Sequence, residues 1–250
     1  MDNIRIKPAW TKSKDEIWNE MFDHLDEKSN TRKIPLWTYA AILLIPVMLC
    51  CFYSVTEETA RGEHSEIRLP DHSTVTLNAE SKLSYHPFVW LFSKKVMLQG
   101  EACFDVKPGN SFYVQSGHCR IKVLGTLFNV YSRSDIYRVT CLSGRVEVQA
   151  GKESIVLHPN MQAVFKEQPF HINNNVAPFT ATGWMQGKFV FVETPLQEVI
   201  AEVERQYNIT VTPGYYPKHF YSGNFSKTEN KPEEILEIIG KAFDITFTIE

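Results

Sequence analysis

The stretch Lys94-Lys-Val-Met-Leu-Gln-Gly-Glu-Ala-Cys-Phe-Asp-Val106 displays the pattern that governs most of the chain. Apolar and polar side chains alternate along it, which is typical of a strand with one face in a core. Gly100 interrupts the alternation, and we expect it to separate two short strands. The stretch therefore predicts β structure that is divided by glycine.

Comparable short stretches fill the chain from Ser65 to about Lys166. Turns rich in glycine, proline and asparagine separate them, as at Pro108-Gly-Asn110 and Ser143-Gly144. Many short strands with regular turns predict a mainly β domain over residues 66–166, built as a sandwich, a barrel or a β-solenoid.

An internal repeat over residues 183–250 predicts a second, α+β domain. Each copy follows the order strand, helix, strand. Apolar residues recur at helical spacing in both copies, and we expect both stripes to face a small sheet. They are Leu196, Val199, Ile200, Val203 and Tyr207 in the first copy, and Ile235, Ile238, Ile239, Ala242 and Phe243 in the second. The polar residues 167–182 are predicted to link this domain to the β domain.

An uncharged and mostly apolar run of 22 residues extends from Ile34 to Val55. At about 1.5 Å per residue, a helix of this length spans roughly 33 Å, enough to cross a hydrocarbon core about 30 Å thick. Residues 34–55 are therefore predicted to form a single transmembrane helix, with Phe52 and Tyr53 at one interface. The alternatives are a cleaved signal peptide, a buried soluble helix and a lipoprotein signal, although Cys50 follows Leu49 where a lipoprotein signal calls for a small residue. The long preceding segment and the absence of charge argue against them.

The charges around this run predict its orientation. Lys28, Arg32 and Lys33 precede it, and Glu57 and Glu58 follow it. Because basic residues stay on the cytoplasmic side, the segment 1–33 is predicted to lie in the cytoplasm and the larger part outside. The polar residues 56–65 are predicted to link the anchor to the β domain.

The segment 1–33 contains one amphipathic helix with an acidic exposed face. Its apolar stripe consists of Ile17, Trp18, Met21, Phe22 and Leu25. The helix either extends the anchor or docks onto a cytoplasmic partner. It is too short to bury this stripe by itself, so these five residues are the candidate partner-binding residues.

The composition argues against a direct nucleic-acid interface. The net charge is −3, with 43% hydrophobic and 22% charged residues, whereas nucleic-acid binding calls for a basic surface. No nucleophile elbow, phosphate-binding loop or metal-ligand spacing occurs, so we expect no enzymatic activity, no cofactor and no metal. Glu101 and Asp105 form only a weak candidate carboxylate pair, since a polar strand face explains them without catalysis.

Three cysteines, Cys103, Cys119 and Cys141, fall in the external part. Three thiols allow at most one disulfide, with one thiol left over. The strand-like alternation around them favours small buried hydrophobic residues over a disulfide.

Three blocks of the β region resemble the signature blocks of FecR proteins, a family of single-pass sigma-factor regulators in cell-surface signalling. In order they are LPDHSTVTLNAESKLSY (69–85), LQGEACFDV (98–106) and VLGTLFNV (123–130). The C-terminal repeat resembles the small domain that follows FecR in many of these proteins. That small domain is related to the short signalling domain of secretins and TonB-dependent transporters.

The resemblance implies a β-solenoid-like external domain in the periplasm and an anchor in the bacterial inner membrane. It also implies two partners. An extracytoplasmic-function sigma factor would bind on the cytoplasmic side, and the signalling domain of an outer-membrane TonB-dependent transporter on the periplasmic side. An anchored binding or scaffold module without a transcriptional role is the alternative function.

Overall fold

The computed structural model describes residues 11–23, 35, 44, 48, 52–166, 169–212, 216 and 219–250. The chain divides into two compact units, Met1–Met48 and Leu49–Glu250. Most of the predicted transmembrane segment 34–55 lies outside the described residues, but its predicted end is wrong, because Val55 begins a strand that pairs with Tyr85. Among those that are described, no helix combines the length and the apolar character needed to cross a membrane.

The first unit contains one described helix, α1 (Lys14–Asp23), which covers most of the predicted amphipathic helix. Its start is set by Ser13 and Glu16. The Ser13 hydroxyl accepts a hydrogen bond from the Glu16 N–H over 3.2 Å, and the Glu16 carboxylate accepts one from the Ser13 N–H over 2.8 Å. This reciprocal cap satisfies two N–H groups that a helix start leaves without partners.

Thirteen strands in the described part of the second unit form one curled sheet. They are β1 (Val55–Thr59), β2 (Ser65–Arg68), β3 (Thr74–Leu77), β4 (Ser81–Tyr85), β5 (Lys94–Val106), β6 (Phe112–Ser116), β7 (Cys119–Val123), β8 (Thr126–Arg133), β9 (Ile136–Ser143), β10 (Val146–Ala150), β11 (Glu153–Leu157), β12 (Gln162–Phe165) and β13 (His171–Asn173). A short 3-10 helix, Pro87–Val89, lies between β4 and β5.

Strand β5 joins the two halves of the sheet and runs through Gly100 without a break, so the expected division there is wrong. Its first half pairs with β4 and β6, and its second half pairs with β3 and β8. Gly100 has φ +96°, a conformation that glycine adopts without steric cost. The strand therefore changes direction at Gly100 and continues, instead of ending there.

The strand pairing corrects the expectation of a β-solenoid. A β-solenoid stacks parallel strands, whereas the described pairings in this sheet are antiparallel except for β5 with β6. The sheet instead closes over one apolar core, in which the rings of Phe104 and Phe128 stack 5.0 Å apart. Cys103, Cys119 and Cys141 are free and buried, which confirms their interpretation as small buried residues.

Both predicted linkers contain regular structure. Strand β1 occupies residues 56–59 of the first linker and pairs with β4. Residues 167–182 contain β13, which pairs with β12, and a short helix, α2 (Pro178–Thr182). β1 and β13 each have a single partner strand and are largely exposed, so their sequences are polar and read as linkers.

The C-terminal domain has the predicted repeat, after a 3-10 helix at Gly183–Gln186. Its elements are β14 (Lys188–Pro195), α3 (Leu196–Tyr207), β15 (Val211–Thr212), β16 (Phe220–Ser226), α4 (Pro232–Phe243) and β17 (Thr248–Ile249). β14 pairs with β16, and β15 pairs with β17, both antiparallel. Equivalent strands of the two copies therefore pair with each other, in two small sheets instead of one.

The two helices match in length and in the way they end. Each has 12 residues and is followed by a left-handed residue, Asn208 (φ +54°) or Asp244 (φ +57°). Asparagine and aspartate tolerate this conformation, which ends a helix. Four residues of the stripe predicted for α3 are buried, and Tyr207 is partly buried. In α4, Ile238 is 50% exposed and Ala242 is also exposed, whereas Leu236, outside the predicted stripe, is buried.

Candidate functional site

Helix α1 exposes the apolar stripe predicted to bind a partner. Ile17, Trp18, Met21 and Phe22 are between 38% and 54% exposed. The rings of Trp18 and Phe22 stack in parallel with their centroids 4.9 Å apart. Leu25, the fifth predicted residue, lies outside the described residues. The helix thus presents a pair of stacked aromatic rings, a common type of anchor in protein interfaces.

A second candidate site lies where α3 packs against the β sheet. The apolar stripe of α3 faces the core of its own domain. On the other side of the helix, Glu202, Arg205 and Gln206 are also buried. Such residues are seldom buried without polar partners. The polar face of α3 therefore forms the interdomain contact, which we define as these three residues together with Asn78, Glu101, Asn129 and Arg133.

A chain of amide and carboxyl groups crosses the interdomain contact. Gln206 Nε2 donates to Asn78 Oδ1 over 2.7 Å, and Asn78 Nδ2 donates to the Glu101 carboxyl over 2.8 Å. Asn129 Nδ2 donates to the other Glu101 oxygen, also over 2.8 Å. The sheet side of this chain comes from β8, β5 and the turn after β3, which are neighbours in the sheet. A buried polar group that loses its partner is costly, so this chain holds α3 in one position on the sheet.

Charged groups in the contact neutralise one another. The Glu202 carboxylate accepts hydrogen bonds from Arg205 Nε (3.1 Å) and Nη2 (2.8 Å) and from Gln206 (2.8 Å). Burial acts to raise the pKa of Glu202, but Arg205 and Arg133 outweigh it and hold this pKa below its ordinary value. Burial raises the pKa of Glu101, and the Glu202 charge raises it further. Glu101 therefore takes up a proton before Glu202 as the pH falls.

The segment after β1 also joins the contact. The Gly62 N–H donates to the Arg205 carbonyl over 2.7 Å, and Lys227 Nζ donates to the Gly62 carbonyl over 3.0 Å. His64 Nε2 lies 3.2 Å from the Gln206 amide oxygen, and burial lowers the pKa of His64. Gly62 and His64, which belong to the predicted linker 56–65, thus contact the C-terminal end of α3.

An open cleft of about 900 Å³ borders the contact. Arg138 of β9 and Glu198 of α3 form an ion pair on its wall, and the Arg138 guanidinium lies over the Tyr131 ring, 4.2 Å from its centroid. Within the part of the chain that the structure describes, no group of three or more His, Cys, Asp or Glu side chains could hold a metal ion. Polar and apolar side chains both line the cleft, and the interdomain contact borders it through Glu101, Asn129 and Glu202.

The candidate carboxylate pair Glu101 and Asp105 is divided between two environments. Glu101 is buried in the interdomain contact, whereas Asp105 is exposed and pairs with Lys107 over 3.2 Å. Sequence reasoning missed the contact, because the polar face of an amphipathic helix normally faces water. The helical period of α3 indicates which face is polar but not that a second domain covers it.

Replacing Glu101 with glutamine is expected to make stability less dependent on pH. Because the folded-state pKa of Glu101 is raised, the protonated carboxyl contributes stability below its ordinary pKa of 4.5, and this contribution is lost as the pH rises through the folded-state value. Glutamine is uncharged at every pH. The melting temperature of E101Q minus that of the unmodified protein should therefore increase as the pH rises from 4 to 8.

The matched control for E101Q is Asp105→Asn, which neutralises an exposed carboxylate of the same strand. Its melting temperature should follow that of the unmodified protein across this range. Parallel melting curves for E101Q and the unmodified protein would show that Glu101 has an ordinary pKa in the folded state.

Two family models match the described domains in order. Residues 55–147 match the model described as FecR protein, and residues 188–250 match the model described as FecR, C-terminal. The first match begins at β1 and the second at β14. Together they include both sides of the interdomain contact. No curated protein is significantly similar to the chain.

Two solved crystal structures are similar over most of the chain. Both are provisionally described as an anti-sigma factor from Parabacteroides distasonis ATCC 8503. The structure at 2.50 Å resolution is 28% identical, covers 79% of this chain and 95% of its own, and has a TM-score of 0.72. The structure at 1.65 Å resolution is 27% identical, covers 78% and 98%, and has a TM-score of 0.71.

Proposed function

Because the chain belongs to the FecR family, we propose that it is a membrane-anchored anti-sigma regulator that binds an extracytoplasmic-function sigma factor. The observation that carries the proposal is the ordered match of both FecR models, supported by solved neighbours described as anti-sigma factors. The protein acts by binding and not by catalysis.

The proposed arrangement puts residues 1–33 in the cytoplasm, the apolar run from residue 34 to the start of β1 across the inner membrane, and β1 and the remainder in the periplasm. The charge asymmetry around the apolar run supports this orientation. A reporter enzyme that is active only after export should be active when it is fused after Glu250. Activity of a cytoplasm-dependent reporter at the same position, or release of the protein by alkaline carbonate, would contradict this arrangement.

On the periplasmic side, the proposed partner is the signalling domain of an outer-membrane TonB-dependent transporter. The interdomain contact supports a relay, because its buried hydrogen bonds define one position of the C-terminal domain on the sheet, which a partner can favour or disfavour. A partner that binds another position more tightly would shift the population toward it by its difference in affinity. We propose that transporter binding acts on this equilibrium.

On the cytoplasmic side, the stacked pair of Trp18 and Phe22 is proposed to anchor the sigma factor. Aromatic hot-spot anchors contribute about 2 kcal/mol or more to binding, so W18A should weaken binding about thirtyfold or more. The measurement is a titration of the sigma factor, recovered with residues 1–33 as bait, against the full-length protein. Asn19→Ala is the control, because Asn19 lies outside the stripe and should bind normally.

Two results would contradict the sigma-factor proposal. One is equal affinity of W18A and the unmodified protein. The other is failure to recover a sigma factor together with unchanged target transcription on deletion of the gene, which would favour an anchored scaffold module.

A further inference from the structure

The loop between β4 and β5 displays bulky apolar side chains to solvent. Leu91 is 89% exposed, Phe92 is 91% exposed and Phe88 is 58% exposed. Ser93 is the only hydroxyl-bearing residue between the end of the 3-10 helix and Lys94. Scattered exposed apolar residues are ordinary, but three within one short loop form a patch that calls for a partner.

The strand register places this loop at the end of the sheet where the chain leaves the predicted anchor. Val55, the last residue of the apolar run, pairs with Tyr85, the last residue of β4. Tyr85 in turn pairs with Val96, near the start of β5. The loop that joins β4 to β5 must therefore project from the same end of the sheet as residues 52–54.

Direct contacts agree with this register. His86 Nδ1 lies 3.1 Å from the Tyr53 carbonyl oxygen, and the rings of Tyr53 and Phe88 meet edge to face 5.7 Å apart. Phe52 and Tyr53 are themselves 71% and 55% exposed. Since β1 begins at Val55, only Ser54 separates Tyr53 from the folded sheet. The end of the apolar run and the loop thus form one aromatic surface.

The residues on either side of Leu91 and Phe92 are held by contacts with the sheet, which fix the position of the loop. Trp90 is buried, and its ring meets Tyr85 at 5.5 Å and Phe112 at 5.9 Å. Lys94 forms an ion pair with Asp71 over 2.9 Å, with both side chains largely covered. These contacts fix both ends of the short stretch that carries Leu91 and Phe92.

We propose that Phe88, Leu91 and Phe92 insert into the periplasmic leaflet of the membrane that the anchor crosses. This inference rests on the proposed function, because it takes the apolar run before β1 to be the anchor. Apolar side chains that are held at the bilayer surface bury in the boundary between headgroups and acyl chains. The exposed Lys95, the second residue of β5, follows the loop, and a cation at this position can meet lipid phosphates. The sheet would then be attached to the membrane at two points, through the anchor and through this loop.

The test measures the depth of a nitroxide spin label at position 92 in the full-length protein in lipid nanodiscs. The variant is Phe92→Cys in a background with Cys50→Ser and Cys51→Ser. Burial raises the pKa of Cys103 and Cys119 to about 12 and that of Cys141 to about 11, so these thiols stay protonated and unlabelled at neutral pH.

The matched control is Lys152→Cys in the turn between β10 and β11. The register Val146–Val123, Val123–Phe112 and Phe112–Lys94 places that turn at the opposite end of the same sheet. The label at position 92 should be relaxed several-fold more by oxygen than by a water-soluble nickel complex. The label at position 152 should show the reverse order.

Two outcomes overturn the bilayer proposal. A label at position 92 that responds to nickel as strongly as the control would place the loop in water. A label shielded from both oxygen and nickel would place it against a protein surface, such as a second copy. Carbonate extraction of the same labelled protein separates the two hypotheses. Release from the membrane would contradict the anchor itself, whereas retention with an aqueous label would contradict the loop alone.

Discussion

Replacing Glu202 with alanine is expected to lower the free energy of unfolding by about 3 kcal/mol. Removing one partner of a buried ion pair commonly costs about 3–5 kcal/mol, because the remaining charge is left buried and unpaired. Here the Arg205 side chain is 9% exposed and would lose two hydrogen bonds. We expect the lower end of the range, because Glu101 can ionise and partly replace the lost charge.

The measurement is urea unfolding of a fragment comprising residues 52–250, followed by circular dichroism. Glu237→Ala is the control, because Glu237 pairs with Lys241 on an exposed helix surface and its loss should leave stability nearly unchanged. The double variant E202A/R205A should be less destabilised than the sum of its single variants. Additive losses would show that Glu202 and Arg205 act independently.

Replacing Gly100 with alanine is expected to destabilise the β domain by about 2–6 kcal/mol. A non-glycine residue in such a conformation costs about 1–3 kcal/mol, and overpacking adds about 1–3 kcal/mol. A Cβ on Gly100 would lie 2.8 Å from the Ser81 Cα and 2.5 Å from the Ser81 hydroxyl oxygen. Since the Cα cannot rotate away, the strand or β4 must shift.

Thermal unfolding of the same fragment measures this loss. Gly187→Ala is the matched control, because Gly187 also has a positive φ (+68°) but a Cβ there would meet only the Lys227 Cβ at 3.5 Å. G187A should therefore report the cost of the backbone conformation alone and should be milder. Equal losses for the two variants would show that steric contact with Ser81 contributes nothing.

Some predictions from the sequence agree with the structure because they depend on local periodicity. The alternation in Thr74-Val-Thr-Leu77 and the apolar stripe of α3 each report which side of an element meets a core. The internal repeat also predicted two equivalent helices, and both end at a left-handed Asn or Asp. Such features depend on residues a few positions apart.

Other predictions failed where a distant partner decides the outcome. Strand β1 is polar and exposed, and only its pairing with β4 makes it a strand. Gly100 is expected to separate two strands, but β4 pairs with β5 up to Gln99 and β8 pairs with it from Gly100 onward, so the strand continues. Ile238 matches the stripe of α4 by spacing, yet it faces solvent.

The amino-acid sequence by itself determined that the chain has a β domain, a repeated α+β domain and an apolar run near its start. Periodicity, turn residues and hydropathy encode these features locally, and three blocks carried the resemblance to the FecR family. Only the tertiary structure decided that Glu101 and Glu202 meet between the domains and that the loop at Leu91 lies beside Tyr53. Residues far apart along the chain come together there through strand register and domain packing, which no local pattern records.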